Sequence, residues 1–526
     1  MEGENKSIKE PEQISKVSRR IATNTLLLYG RMIFLLLISL YTSRVVLNAL
    51  GQSDFGIYNV VGGIVAMMAI ISGALTNAVS RFLTFELGKT QGQQFNKVFS
   101  TAVLVQVMLI LLLAIVAEPI CIWYVNSPLD LPPDRMVAAN WVLQCAVLTF
   151  FVNLLSVPYS GAIIAHERMG AFAYISVFEG IINLLIAVCI SHTGLDKLIL
   201  YAVLMVLVKV IIRLVNGIYC RRHFPETKFR FVWDTSLLKR IFKFTGWLAL
   251  GNGMSVINTN GINLLINKFF GVTLNAATGL AAKVESSVSG FVNNFITAIN
   301  PQITKSYAAG NIGYMHDLMC KGAKFSYLII YFFALPIILE APSILDIWLK
   351  GNVPDYTVAL VRITLLSAMF KSLGNTVLTG INATGKVRNY QIAVSTVAFF
   401  AFPLSWLAFR MGAEPYVAFL ILMGVDFTQI FVRLIVTRKD TGLTIRKFFN
   451  DVIWRILKVS IAAAIVPLVI WNIQEPSIWR TMEVCLVSFI CVIAASYMFA
   501  ATDGEKAFIT NKISNILHKR NGEELQ

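Results

Sequence analysis

Seven of the 45 Lys and Arg residues lie inside long apolar runs: Arg31, Lys209, Arg213, Lys283, Arg362, Lys371 and Arg433. Three acids, Glu179, Glu285 and Asp426, share that setting. A charge at the centre of a bilayer costs about 2.5–3.5 kcal/mol even on the lenient insertion scale, and such residues mark substrate or ion paths. Arg213, Arg362 and Arg433 are close enough to run ends to snorkel to an interface. That leaves Arg31, Lys209, Lys283 and Lys371 as candidates for holding an anionic head group. Asp426 and Glu179 are candidates for coupling to an ion. Cations outnumber acids at depth, which suits an anionic substrate; a carrier of cationic compounds would carry acids instead. At an effective dielectric of about 20, a unit pair at 4 Å gains roughly 4 kcal/mol. Two or three such contacts offset much of the cost of desolvating a multiply charged group.

Polar side chains repeat at helical spacing in the same runs. Ser286, Asn293, Thr297 and Asn300 share one face, with Lys283 at its edge. Asn252, Ser255, Thr259, Asn263 and Asn267 share another, Asn59, Gly63, Asn77 and Arg81 a third, and Asn24, Arg31 and Thr42 a fourth. A lone Asn or Ser commonly glues helix to helix. Four polar faces together cannot all meet lipid, because hydrocarbon offers amides and cations no partners. They are expected to line a wet cavity, with Asn77, Arg81, Asn252, Asn263, Asn293 and Thr297 as its polar lining.

The elements that must position these residues follow from composition. The chain has 526 residues, 56% hydrophobic and only 14% charged, and a mean hydropathy of +0.68. These values exclude a disordered chain or a soluble multidomain protein and predict an all-α polytopic membrane protein. Apolar runs fall near 21–43, 56–80, 98–118, 137–157, 172–192, 198–219, 244–267, 276–300, 325–345, 357–378, 390–409, 416–436, 459–473 and 482–501. About fourteen transmembrane helices leave no room for a sizeable soluble domain, since one span takes about 20 residues. With the N-terminus placed inside, 31 Lys and Arg fall on the inner side and 7 on the outer side. By the positive-inside rule both termini are then cytoplasmic. The same rule accounts for the formal net charge of +16 without nucleic acid. Met1 to Arg20 has no signal-peptide apolar region. The seven cysteines show no ligand spacing, so no metal or cofactor is expected.

An internal repeat is visible. Ser160-Gly161 before His166-Glu167-Arg168 matches Thr379-Gly380 before Gly385-Lys386-Val387-Arg388, an offset of 219 residues. Thr76 to Lys89 has a counterpart at Thr297 to Asn311. Equal topology of the two sixes suggests lobes related by an axis along the membrane normal. The expected organisation is a cytoplasmic polar N-terminus at 1–20, an N-lobe at 21–219 and a basic cytoplasmic linker at 220–243. A C-lobe follows at 244–437, then an appended helix pair at 438–502 and a cytoplasmic tail at 503–526.

The stretch Leu47-Asn48-Ala49-Leu50-Gly51-Gln52-Ser53-Asp54-Phe55-Gly56-Ile57-Tyr58, closing with Ser80-Arg81-Phe82, resembles the bacterial polysaccharide flippases. These O-antigen-type carriers belong to the multidrug/oligosaccharidyl-lipid/polysaccharide exporter superfamily. The resemblance implies a V-shaped inner-membrane protein. It would move undecaprenyl-diphosphate-linked oligosaccharide from the cytoplasmic to the periplasmic leaflet by alternating access. It also implies basic residues in the central cavity, where Arg31 and Lys283 fit the pattern. Implied partners are the lipid-linked oligosaccharide, membrane lipids, and the polymerase and glycosyltransferases of the same route.

Two other classes compete. An ion-coupled exporter of another substrate, of multidrug or peptidoglycan-precursor type, would share the architecture. A membrane enzyme is disfavoured, because the outer connections are short and carry no acid/base pair convergent with a nucleophile. No GxxxxGK[ST] loop is present either.

Overall fold

The computed structural model describes residues 4–67, 69–89, 94–126, 133–191, 193–194, 196–270, 273–349, 351, 353–503 and 505–506. Residues 507–526 of the expected tail, His192, and the side chains of Asn59 and Gly63 lie outside the described parts. The fold is all helical, with no strand among the described residues. In chain order the helices are α1 (Glu4–Met67), α2 (Ala69–Gly88), α3 (Phe95–Asn126), α4 (Met136–Ala165), α5 (Met169–Ile190) and α6 (Lys197–His223). They continue as α7 (Thr235–Phe270), α8 (Thr273–Ala308), α9 (Ile312–Leu339), α10 (Ala341–Leu349), α11 (Thr357–Thr384) and α12 (Arg388–Phe399). The last five are α13 (Ala401–Arg410), α14 (Val417–Thr441), α15 (Ile445–Phe448), α16 (Trp454–Ile473) and α17 (Ile478–Ala495).

Among the described residues, eleven segments are long and apolar enough to cross a membrane, which makes the chain a multi-pass membrane protein. α2, α7 and α8 are not among the eleven. α7 and α8 carry polar faces, which lower their hydropathy, and the second apolar run is divided between the end of α1 and the start of α2.

Packing sorts the helices into two groups. In the first, α4 packs on α1, α2, α3 and α6, and α5 packs on α1 and α6. In the second, α11 packs on α8, α9 and α14, and α12 on α7 and α14. α4 and α11 are thus equivalent central helices, and their ends, Ala165 and Thr384, keep the 219-residue offset of the repeat. The groups meet where α2 packs on α7 and α8, and α1 on α8.

Several boundaries differ from the sequence expectation. α1 runs through the connection between the first two apolar runs and kinks at Gly51, whose φ of 80° and ψ of 171° suit only glycine. Three residues later Asp54 pairs with Arg135, which also pairs at 2.8 Å with Asp196, the N-cap of α6. Part of the Leu-Gly…Phe-Gly-Ile-Tyr stretch is thereby a kink held by an ion triad. The 390–409 run breaks between α12 and α13, where Pro403 cannot donate to the carbonyl four residues back. α9 begins at Ile312, not near 325, and stops at Glu340. The expected linker narrows, because α6 extends to His223 and α7 starts at Thr235.

The final helix pair is tied to the second group at both ends. Glu340, fully buried, accepts from Arg480 Nη2 and Thr481 Oγ1, each at 3.1 Å. At the other end Lys324, also fully buried, donates to Ala500 O at 2.8 Å and Glu505 Oε2 at 2.9 Å. Removing one member of a buried pair strands the other charge and costs about 3–5 kcal/mol. Arg480→Ala is therefore expected to lower the thermal unfolding temperature of the purified protein by several degrees. Replacing both Arg480 and Glu340 by apolar residues should cost less than that single change.

Candidate functional site

The seam between the two helix groups is the candidate site. One end of it carries the basic excess and will be called the basic end. There α2 and α8 come close together: a Cβ on Gly88 would lie 2.7 Å from Ala308 Cβ and 2.8 Å from Lys305 Cα. No residue larger than glycine fits without displacing backbone.

Two crossing contacts lock this end, and they mirror each other. On one side α2 reaches the second group. Arg81 donates from Nε to Asn382 O at 2.9 Å and from Nη2 to Ala383 O at 2.6 Å. These carbonyls belong to the last turn of α11, where the helix dipole favours a cation. Gly385 caps α11 at φ 78°, and a Cβ there would stand 3.1 Å from Arg81 Nη2. Phe82, Phe85 and Phe244 surround the guanidinium at 4.7, 4.7 and 5.5 Å from their ring centroids.

On the other side α8 reaches the first group. Glu167, in the turn after α4, takes the left-handed φ of 59° and buries its carboxylate. It accepts from Gln302 Nε2 and Lys305 Nζ, both at 2.5 Å, and Arg20 Nη2 lies 3.2 Å away. In each case the second long helix of one group caps the turn after the central helix of the other. Next to Glu167, His166 stacks on Phe224 at 3.9 Å. Burial holds its imidazole below the ordinary histidine value; Glu226 opposes the shift, and Lys305 and Arg168 add to it.

Further along the seam, Leu28, Met169 and Ala298 form one buried cluster, and Tyr29 meets Phe291 edge-on at 5.5 Å. Met32 fills the space over Gly290, and Asn294 Nδ2 lies 3.1 Å from its sulfur. Lys283 lies seven residues before Gly290, hence on nearly the same face two turns away. It is exposed, and among the described residues it has no ion-pair partner. Asn77 and Asn293 are also exposed, and Thr297 Oγ1 donates to Asn293 O at 2.7 Å. Asn252 and Asn263 are half-buried, with Asn252 Nδ2 3.9 Å from a Cβ built on Gly73 across the seam.

The other expected site residues are placed differently. Arg31 turns into the first group, its guanidinium 4.7 Å from the Phe172 ring centroid, and its Nε and Nη1 have no hydrogen-bond partner among the described residues. Lys209 is not a free cation: it pairs with Glu179 across α5 and α6. Lys371 lies 3.6 Å from Asp426, which also accepts from Ser367. Of the four candidate cations, Lys209 and Lys371 are thus held by carboxylates. The carboxylates read as ion-coupling sites neutralise two of them, as low dielectric requires. Arg81 is likewise buried in the lock and does not line an open cavity. Arg433 bonds Gln429 at 2.9 Å, and Arg362 reaches Ile338 O at 2.9 Å.

Sequence reasoning missed Glu167, Gln302 and Lys305 as a unit. The repeat put the turn at 166–168 on the page, but nothing in it pointed to a partner 138 residues away.

Comparison with known proteins fits this geometry. The sequence profile described as "Polysaccharide biosynthesis protein" matches residues 21–307. No curated protein matches the chain. The fold is similar to a MATE transporter solved in a bent conformation, with 12% identity and a TM-score of 0.71, over 84% of this chain and 99% of that one. It is similar to an outward-facing multidrug resistance MATE family transporter of the MOP superfamily, with 12% identity and a TM-score of 0.68, over 81% and 96%. A MOP superfamily transporter from Pyrococcus furiosus, described as having a binding pocket of reversed polarity, matches with 13% identity and a TM-score of 0.63, over 81% and 96%.

Proposed function

We propose, since the chain belongs to the polysaccharide biosynthesis protein family, that it is a flippase for undecaprenyl-diphosphate-linked oligosaccharide. In this reading it is a fourteen-helix, V-shaped carrier of the inner membrane with its basic end in the cytoplasm. Two lobes, α1–α6 and α7–α14, rock about the seam, and α16 and α17 ride on the second. The substrate's diphosphate moves from the cytoplasmic to the periplasmic leaflet along the seam while its glycan stays in water.

One observation carries the reading: Lys283, a cation without an ion-pair partner among the described residues, stands on the seam face of α8 beyond a locked basic end. A lock at one end with exposed polar residues beyond it is the arrangement of a carrier open to the periplasm. Asn77, Asn252, Asn263 and Asn293 can exchange hydrogen bonds with sugar hydroxyls. Such replaceable contacts suit release. The field assists export, since moving one charge is worth about 2.3 kcal/mol per 100 mV.

Asp426 resets the carrier by taking up a proton that frees Lys371. Asp426→Asn mimics the protonated state and removes its charge. Flipping by that variant is expected to keep its dependence on membrane potential and lose its dependence on the proton gradient. The test is translocation of radiolabelled lipid-linked glycan in inverted vesicles, with a cationic drug as the competing cargo. Transport of the drug but not the glycan would make the chain a multidrug-type exporter and end this reading.

A further inference from the structure

The connection between α6 and α7 has no helix or strand over residues 228–234. It is held at three points on the start of α3. Asn96 Nδ2 donates to Glu226 O at 2.8 Å and to Lys228 O at 2.6 Å, the Arg230 amide donates to Ser100 Oγ at 3.0 Å, and Lys97 pairs with Asp234 at 2.7 Å. Asp234 also accepts from the Ser236 and Leu237 amides and so caps α7. Between these holds the tip is aromatic and uncovered: Phe231 is 70% exposed and Trp233 60%. Beyond the function proposed above, we infer that this loop is a binding site for an anionic phospholipid at the membrane surface. Phe231 and Trp233 enter the leaflet, and Lys228 and Arg230 hold the headgroup phosphate.

Depth puts the tip in the interface. The apolar span that begins α3, Phe95–Trp123, has 29 residues. At 1.5 Å per residue that is about 44 Å, the thickness of a bilayer with its headgroups. Phe95 lies 5.5 Å from the His166 ring, so α3 starts at the basic end. The loop enters at Asn96, reaches Ser100 about 6 Å further in, and returns to Lys97. Its tip therefore sits where headgroups give way to acyl chains, the depth at which Trp concentrates and interfacial apolar faces settle. It also sits on the lipid side. Val107 and Leu111 follow Ser100 by seven and eleven residues, hence on the same face of α3, and both are exposed. The bare apolar surface of α3 begins where the loop ends.

The charges select the lipid. Residues 221–243 include seven Lys and Arg against two acids, Glu226 and Asp234. Glu226 faces His166 at 3.1 Å, and Asp234 is taken by Lys97. Lys228 and Arg230 are exposed, and among the described residues neither has an ion-pair partner. They alternate with Phe229, Phe231 and Trp233. In extended backbone, as at Lys228 with ψ 119°, a period of two sets cations on one side and rings on the other. A headgroup phosphate and the acyl chains beneath it match that division. Each cation beside an anionic leaflet favours association about fivefold. A zwitterionic headgroup carries its own cation and gains less.

The test uses the full chain in nanodiscs of phosphatidylcholine and phosphatidylglycerol at equal mole fraction, with bromine on the acyl chains of one lipid or the other. Nine tryptophans emit, so Trp233 is read as the difference between the unaltered chain and Trp233→Phe. The inference expects bromine on either lipid to quench Trp233, and brominated phosphatidylglycerol to quench it several-fold more. Lys228→Ala combined with Arg230→Ala should remove that excess and leave the quenching by brominated phosphatidylcholine. Quenching by neither lipid would put the tip in water, free for a soluble partner, and would overturn the inference. Equal quenching by the two lipids in the unaltered loop would also overturn it, by making the tip an ordinary interfacial pair of rings. So would an excess that survives the loss of both cations, because the headgroup would then be held elsewhere. None of these outcomes depends on what the carrier transports.

Discussion

Glu167→Ala is expected to open the basic end of the seam and shift the carrier away from its locked state by a factor of about one hundred to a few thousand. The residue buries a carboxylate between Gln302 Nε2 and Lys305 Nζ, with Arg20 at its flank. Removing it leaves Lys305 without its partner at a tight helix crossing. Breaking such a pair costs about 3–5 kcal/mol, and each 1.4 kcal/mol is a tenfold change in population. The cost falls on the locked state alone, because in an opened seam water solvates Lys305. Arg81→Ala should act in the same direction through the loss of two hydrogen bonds from a charged donor, each worth about 1.5–3 kcal/mol. The two contacts close the same end, so the double variant should shift the population less than the product of the single effects. Spin-label distances between positions 221 and 309 read the shift directly. Exchanging the partners, as Glu167→Lys with Lys305→Glu, should restore much of the locked population. An unchanged distance in Glu167→Ala would mean the crossing contact is not a lock.

The second large effect concerns Lys283. Lys283→Ala should slow translocation of lipid-linked glycan at least tenfold, and Lys283→Glu should abolish it. A full unit pair at 4 Å and an effective dielectric of about 20 is worth roughly 4 kcal/mol. Lys283 is exposed, so water screening reduces this, and tenfold is the part expected to survive. Lys283→Arg keeps the charge and should retain most of the rate. Lys371→Ala should behave differently. Its loss uncovers Asp426, which is buried beside Ser367, so the damage should appear as instability before it appears as lost substrate affinity.

The sequence reading and the structure agree where one local quantity decides. Apolar length and periodicity located the long helices. The two groups meet where α2 packs on α7 and α8 and α1 on α8, although Arg31 of the α1 stripe turns into the first group. The repeat survives as the equivalent ends of α4 and α11. What was not legible depends on partners far apart in the chain. The pairing of Lys209 and Lys371 was not legible because Glu179 and Asp426 lie 30 and 55 residues away on other helices. The rotation that brings each pair together is set by packing, not by spacing. Arg81 read as cavity lining because a helical stripe gives direction but not what stands opposite. The α12–α13 break was hidden because Pro403 sits within an apolar run whose composition never changes.

The central claim is that Lys283 stands in water within a seam closed at the basic end. It is tested most directly by labelling Lys283→Cys, in a chain lacking Cys189, with a membrane-impermeant maleimide. The account predicts rapid labelling from the periplasmic side, with labelling from the cytoplasmic side appearing only when Glu167→Ala is added. Labelling from neither side would place position 283 against acyl chains. Labelling from the cytoplasmic side with Glu167 intact would show that the basic end is open, and either result would contradict the account.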